Sequence, residues 1–275
     1  MASVNTNAGA MVALQNLNRT NQELQTVQNR INTGLAVSSA KDNGAIYAIA
    51  QNMRAEVGSL RAVNNSLDLA ISVVDVSLAA GDAISDLLIE MKEKALAASD
   101  VSLDSASRTA LNEDFKALRD QISTIVENAE FNGSNLIDGS MSGGISALAN
   151  AKGTNTINVT DEDMSLSGTI LGLSGGTDIA SQSDAAAAVT AIESALTNLN
   201  SALSRLGTGS KSLEIHKTFV SKLSDSLEKG IGNLVDADLA KESARLQSLQ
   251  VKQQLGIQAL SIANSAPATV LGFFR

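Results

Sequence analysis

From Ile192 to Leu234, every seventh residue is a branched aliphatic: Ile192, Leu199, Leu206, Leu213, Val220, Leu227 and Leu234. On an α-helix such a set forms one slowly drifting stripe. A stripe this long buries itself by supercoiling left-handedly against a partner helix. Val189, Leu196 and Leu203 lie three residues before stripe members, and Leu223 three after one, so they widen it. The remainder of the chain must supply partners for this rod.

A second heptad provides one. It runs Ile46, Met53, Leu60, Leu67, Val74, Gly81, Leu88 and Ala95, with Ile49, Val63, Ile84 and Met91 alternating. A third helix carries Leu111, Leu118 and Ile125, with Phe115, Ile122 and Ala129 interleaved. Small and polar residues interrupt the pattern at 38–44, where Asp42 or Asn43 can cap the helix that follows, and 99–104 reads as a turn. Glu90 and Lys94 are spaced for an i, i+4 ion pair on the exposed side. Long antiparallel rods of this kind bundle. The apolar fraction is 44% yet includes only five Phe and one Tyr, so the core is aliphatic, which suits close helix packing. A single proline, Pro267, leaves 266 residues without an obligatory helix breaker.

The expected fold is mainly α, a long antiparallel heptad-patterned bundle with a small β-hairpin region and paired N- and C-terminal helices. Its expected core is Ile46, Met53, Leu60, Leu67, Val74, Leu111, Leu118, Leu199, Leu206, Leu213, Val220 and Leu227. Residues 131–180 break the helical period. Phe131-Asn132-Gly133 and Asp138-Gly139 are turn sequences, and Thr156-Ile157-Asn158-Val159 alternates. They read as short hairpins at one end of the bundle, with 140–180 its most exposed part.

The two ends are unusual. Residues 1–40 carry three charges, Arg19, Glu23 and Arg30, against eleven Asn or Gln, and set Ala10, Leu17, Leu24 and Ile31 on a heptad with Ala13 and Val27 between. A free helix this poor in ion pairs is marginal in water and needs a surface to lie on; the periodicity argues against a disordered polar arm. At the other end, residues 253–274 contain no charge. Leu239, Leu246, Leu249, Ile257 and Leu260 fall on one side of that helix, and Ala240, Ala244, Val251, Leu255 and Ile262 roughly opposite. Lys241, Arg245 and Lys252 share a sector beyond the second face, with Glu242 apart from them. A helix apolar on two sides touches two neighbours. The N-terminal heptad supplies one, and a second copy of the chain supplies the other. The residues expected to carry assembly are therefore Leu17, Leu24, Ile31, Leu246, Leu249, Val251, Leu255, Leu260 and Ile262. The domain division that follows is 1–42 with 236–275, around a bundle at 43–235 that includes the 131–180 segment.

Chemistry is scarce. A net charge of −9 argues against a nucleic-acid partner. No run approaches the ~20 apolar residues of a membrane span, and Gln253, Gln254, Gln258 and Asn264 interrupt the terminal stretch. The N-terminus has no basic n-region or long apolar run, so it does not read as an ordinary secretory signal. Cysteine is absent, which removes disulfides, thiolate nucleophiles and cysteine metal sites. Gly207-Thr208-Gly209-Ser210-Lys211-Ser212 glances at a phosphate loop, but Ser210 replaces the glycine before lysine and the heptad runs straight through it. His216, the only histidine, lacks partners for a catalytic or metal set. Asp161-Glu162-Asp163 has no EF-hand spacing and reads as a solvated turn, and Gly168, Gly172, Gly175 and Gly176 also read as turns. No enzyme, cofactor or metal is expected.

Both ends resemble bacterial flagellin of a short form. Asn5-Thr6-Asn7, Ile31-Asn32-Thr33-Gly34-Leu35, and Ser39-Ala40-Lys41-Asp42 with Ala48-Ile49-Ala50 are similar to that family's N-terminal signature. Asp236-Ala237-Asp238-Leu239-Ala240-Lys241-Glu242 resembles its C-terminal one. So does Ala259-Leu260-Ser261-Ile262-Ala263-Asn264 with Pro267, Val270, Leu271 and Arg275, and Phe131-Asn132-Gly133 resembles the start of its β-region. The resemblance covers about 1–139 and 180–275. It implies a self-assembling subunit of the flagellar filament, exported unfolded by the flagellar secretion apparatus without a cleaved signal and polymerised under a distal cap. An export chaperone and hook-junction proteins are implied as further partners. The paired termini would form the inner tube and the bundle the outer tube, without large outer domains. Ile89-Glu90-Met91-Lys92-Glu93 departs from the enteric Gln-Arg-Val-Arg-Glu, so innate-receptor recognition is not carried over; Asn43 and Gly44 depart from the commoner Asp-Ala. A hook–filament junction protein and a cytosolic coiled-coil scaffold stay open, although a scaffold leaves the uncharged C-terminus unexplained.

Overall fold

The computed structural model describes the backbone of residues 6–272 and side chains over 6–265. Asn5 and Arg275 of the terminal motifs lie outside the described residues, as do the side chains of Pro267, Val270 and Leu271. The order is α1 (Ala8–Thr33), α2 (Gly44–Ala98), α3 (Ser105–Asn128), β1 (Ile145–Leu148), β2 (Thr156–Val159), α4 (Gln182–Val235) and α5 (Leu239–Gly272). Helix starts follow local chemistry. The side chains of Asn7, Asn43 and Asp104 accept from the backbone N–H of Ala10, Ile46 and Ser107, filling donors that a first helical turn leaves unpaired. α1 stops at Gly34, whose φ of 72° is a left-handed cap that a side chain would strain. The chain forms two compact units, one of residues up to Ala55 and from Asp225 onward, the other Glu56–Ser224. The division falls within α2 and α4.

In the Glu56–Ser224 unit, α2 and α4 run antiparallel. Asp68 pairs with Lys217, Asp75 with Ser210 and Glu193 with Lys92, in opposite order along the two helices. Leu60, Leu67 and Val74 of α2 and Leu199, Leu206, Leu213 and Val220 of α4 are all buried. The alternate positions of the α4 seam are Ala188, Ala195 and Ala202, also buried, whereas Val189, Leu196 and Leu203 are half-buried. Alanines there let the helices approach closely. On α3 the fully buried residues are Phe115 and Ile122, with Leu111 and Leu118 half-buried. Lys94 does not pair with Glu90: its ammonium lies 3.0 Å from Asp114 on α3, because the helix neighbour presents a carboxylate across the seam.

The 131–181 segment differs most from expectation. It holds one antiparallel hairpin, Ile145 opposite Val159 through Leu148 opposite Thr156, and an isolated bridge between Phe131 and Ser134. The remainder is irregular, with exposed turns at 152–155 and 174–176 but a buried apolar side: Met164, Leu173 and Ile179 are fully buried, and Leu166, Ile170 and Leu171 nearly so. Glu162 is buried as well, held by Arg205 of α4 through Nε–Oε1 of 2.6 Å and Nη2–Oε2 of 2.5 Å. The carboxylate in turn holds the guanidinium of Arg205 in its charged form, raising its pKa. Asp163 closes a turn by accepting from Ser165 N–H and Oγ–H. This stretch is therefore core cover and not a solvated acidic loop. Gly209, from the phosphate-loop look-alike, is helical; a β-carbon there would lie 2.9 Å from Val159, so the glycine makes room for β2. His216 Nε2 lies 2.7 Å from the Ala149 carbonyl oxygen and its ring 5.8 Å from that of Phe219.

Candidate functional site

The unit that joins both chain ends is built on α1 and α5, which lie antiparallel. Asn7 Nδ2 donates to the carbonyl of Ala263 at 2.6 Å, Gln253 Nε2 to Asn21 Oδ1 at 2.8 Å, and Arg30 Nη1 to Glu242 Oε1 at 3.1 Å. At the base Ala36 N–H bonds Val235 O, Ala237 N–H bonds Gly34 O, and Leu35 bridges Asp236. The seam follows two matched heptads. On α1 the inward residues are Ala10, Ala13, Leu17, Leu24, Val27 and Ile31; on α5 they are Glu242, Leu246, Leu249, Gln253, Gly256, Leu260 and Ala263. Val27 and Leu249 are buried, and most others half-buried. Thr20, half-buried at the seam position between Ala13 and Val27, and the exposed Thr26 and Thr33 turn their hydroxyls onto carbonyls four residues back, so these polar groups of α1 are satisfied within the helix.

Of the residues expected to carry assembly, Leu17, Leu24, Ile31, Leu246, Leu249 and Leu260 line this seam. Val251, Leu255 and Ile262 do not: they are 55%, 57% and 70% exposed in the single chain. Ala240 and Ala244 are exposed with them. Leu239 and Ile257, placed with the first face from sequence, are also exposed, because the seam passes through Gly256 and Gln253. α1 adds Met11, Val12 and Leu14 to the uncovered apolar surface. Glu242 sits on the seam against Arg30, which spacing along one helix could not reveal. Ile46, Met53 and Leu227 are half-buried, and Met53 Cε lies 2.9 Å from where a β-carbon on Gly230 would stand, placing these turns of α2 and α4 against each other. At the end of the α4 stripe, Leu234 is exposed and Ile231 with Val235 is buried instead, since a straight helix drifts about 20° per heptad.

Nothing in this arrangement gathers reacting groups. It offers a pair of weakly charged helices whose outer faces carry branched aliphatics without cover. Among the described residues no helix is long and apolar enough to cross a membrane. A surface of this chemistry is suited to burial against another such surface in water.

Comparison with known proteins is consistent with that geometry. The profile of the bacterial flagellin N-terminal helical region matches residues 4–142, and that of the bacterial flagellin C-terminal helical region matches 189–274. Flagellin FljM of Caulobacter vibrioides is 54% identical over 99% of this chain and 98% of its own. A flagellin of Brucella melitensis is 37% identical across the full length of both. A solved Vibrio parahaemolyticus protein described as flagellar hook-associated superposes with a TM-score of 0.59 at 15% identity, covering 71% of this chain and 100% of that one; this likeness concerns the fold alone.

Proposed function

The chain belongs to the bacterial flagellin family, and from that premise we propose that it is a structural subunit that self-assembles into the extracellular flagellar filament used for swimming. The observation that carries this reading is the uncovered face of α5, with Val251, Leu255 and Ile262 exposed on a helix whose opposite side is already occupied by α1. Burying three such side chains contributes about 1.5–3 kcal/mol each. In a filament, neighbouring copies provide the cover. The proposed division of labour gives 1–42 with 236–275 to the inner tube, through Leu17, Leu24, Ile31, Leu246, Leu249, Val251, Leu255, Leu260 and Ile262, and 43–235 to the outer tube. A hook-junction subunit or a cytosolic scaffold accounts less well for flagellin likeness along the whole chain.

The further partners belong to the same proposal: the flagellar export apparatus and an export chaperone on the way out, with the filament cap and hook-junction proteins at the two ends of the polymer. The role is mechanical and non-enzymatic, with no cofactor, nucleic acid or membrane insertion in it. The test is electron microscopy of purified chain under assembly conditions beside a variant truncated from Gln253 onward. The full chain should form filaments and the truncated chain none, with its main melting transition nearly unchanged. Filaments from the truncated chain would contradict the reading.

A further inference from the structure

The seam between α1 and α5 contains an ion pair that is poorly made for strength. Arg30 and Glu242 touch through one contact, Nη1 to Oε1 at 3.1 Å, and the side chain of Glu242 is only 10% exposed. Arg30 Nε and Glu242 Oε2 are buried, and among the described residues neither has a hydrogen-bond partner. Charges taken from water with part of their bonding capacity unused gain little over apolar side chains of similar volume. A further cause is needed for their place on a seam whose buried and half-buried residues are mostly aliphatic or small.

Register supplies that cause. Inward residues recur every seven positions on both helices, so sliding one helix by a heptad, about 10 Å, again sets a seam residue opposite each seam residue. The aliphatic contacts therefore distinguish poorly between registers. A slide in one direction brings Glu242 to Glu23 in place of Arg30, and in the other it sets Arg30 against Leu249 and carries Glu242 past the end of α1, so either loses the pair. We infer that Arg30 and Glu242 are specificity-determining residues that fix the register in which the terminal helices pair. The Asn21–Gln253 and Asn7–Ala263 contacts reinforce the same register farther along. The part-buried polar pair selects one alignment, as polar seam positions do in coiled coils.

The chain has no cysteine, so introduced pairs report register directly. A β-carbon at Gly256 would stand 3.9 Å from Leu17 Cβ, a spacing a disulfide accepts. Leu17→Cys with Gly256→Cys reports the observed register. Leu17→Cys with Ala263→Cys and Leu17→Cys with Leu249→Cys report slides of one heptad in either direction. Intrachain cross-linking of the full chain is measured by mass and non-reducing gel, and polymerisation separately by light scattering. Loss of assembly with an intact register thus bears only on the filament reading. With Arg30 and Glu242 present, only the 17/256 pair should close. With Arg30→Leu and Glu242→Leu together, its preference over the slid pairs should fall about tenfold, the ratio of one lost specific contact. The exchange Arg30→Glu with Glu242→Arg should restore it, while Arg30→Glu alone should not. An exclusive 17/256 cross-link in the leucine variant would overturn the inference and assign the register to the backbone bonds at Gly34 and Val235. So would an exchange variant no better than the single change, even if the leucine variant failed to fold.

Discussion

Arg205 grips Glu162 with two parallel bonds, Nε to Oε1 and Nη2 to Oε2, joining α4 to an irregular segment 43 residues earlier in the chain. The carboxylate is buried and the guanidinium is half in water, with 6% and 53% of the side chains exposed. Removing the arginine strands the carboxylate inside, where an unsatisfied polar group costs about 1–3 kcal/mol. Arg205→Met should therefore destabilise the fold by that amount in chemical denaturation, and Arg205→Lys, which keeps the charge but not the fork, should fall between. Equal midpoints for wild type and Arg205→Met would show that this contact carries no stability.

The α4 stripe gives a second expectation. Leu213 is fully buried in the seam against α2. Leu213→Ala should cost about 2–5 kcal/mol, the transfer loss plus the cavity left behind. The exposed Ile215, two residues on, should tolerate Ala within about 0.5 kcal/mol. Chemical denaturation of the two variants side by side checks both.

Much of this architecture is legible in the amino-acid order alone, and the boundary of legibility is physical. The rods declare themselves because branched aliphatics at period seven stand out from a polar background. The α4 stripe from Ile192 to Val220 and the α2 stripe from Leu60 to Val74 are both buried. Ala188, Ala195 and Ala202 do not stand out in the same way, because alanine carries too little apolar area to mark a face in an alanine-rich stretch. The burial of Met164, Leu166, Ile170, Leu171 and Leu173 has no period to reveal it. The only signal is their density among glycines and serines. The contacts Glu162–Arg205 and Arg30–Glu242 lie out of reach, since spacing within one element says nothing of a charge brought in from another.

Acid sensitivity follows from two exposed carboxylates. The Ser38 hydroxyl, with the Ser39 N–H next, holds the Asp42 carboxyl below its ordinary value of 3.8, and the Ser107 N–H does the same for Asp104 at the start of α3. A carboxyl lowered in the folded state stabilises the fold fully above its unfolded pKa. That contribution fades as pH falls through the lower folded value. The turn at Ser38–Ser39 and the first turn of α3 should thus hold at neutral pH and loosen only below about 3.8. Amide shifts of Ser39 and Ser107 followed by NMR should titrate below that point, and Asp42→Asn should abolish the Ser39 transition. A Ser39 transition midpoint above about 4 would contradict the assignment.

The hairpin contact gives a steric expectation. A side chain at Gly209 must displace Val159, since even a β-carbon would stand 2.9 Å from it. Gly209→Val should destabilise by about 1–3 kcal/mol, the usual cost of overpacking, and adding Val159→Ala should recover part of that. Additive losses in the double variant would show that the two positions do not touch.

The central claim is that the terminal helices are completed by neighbouring copies, and hydrogen exchange on dilute monomer and assembled polymer tests it most directly. A helix pair with few charges and one uncovered apolar face is marginal alone. In the monomer the pair should close in one register but open often, so amides of 8–33 and 239–265 should exchange faster than those of 60–90 and 190–220, which stay protected. In the polymer the terminal amides should be among the slowest in the chain. Terminal amides equally protected in a monomer at every concentration would contradict the claim, for the pair would then need no partner.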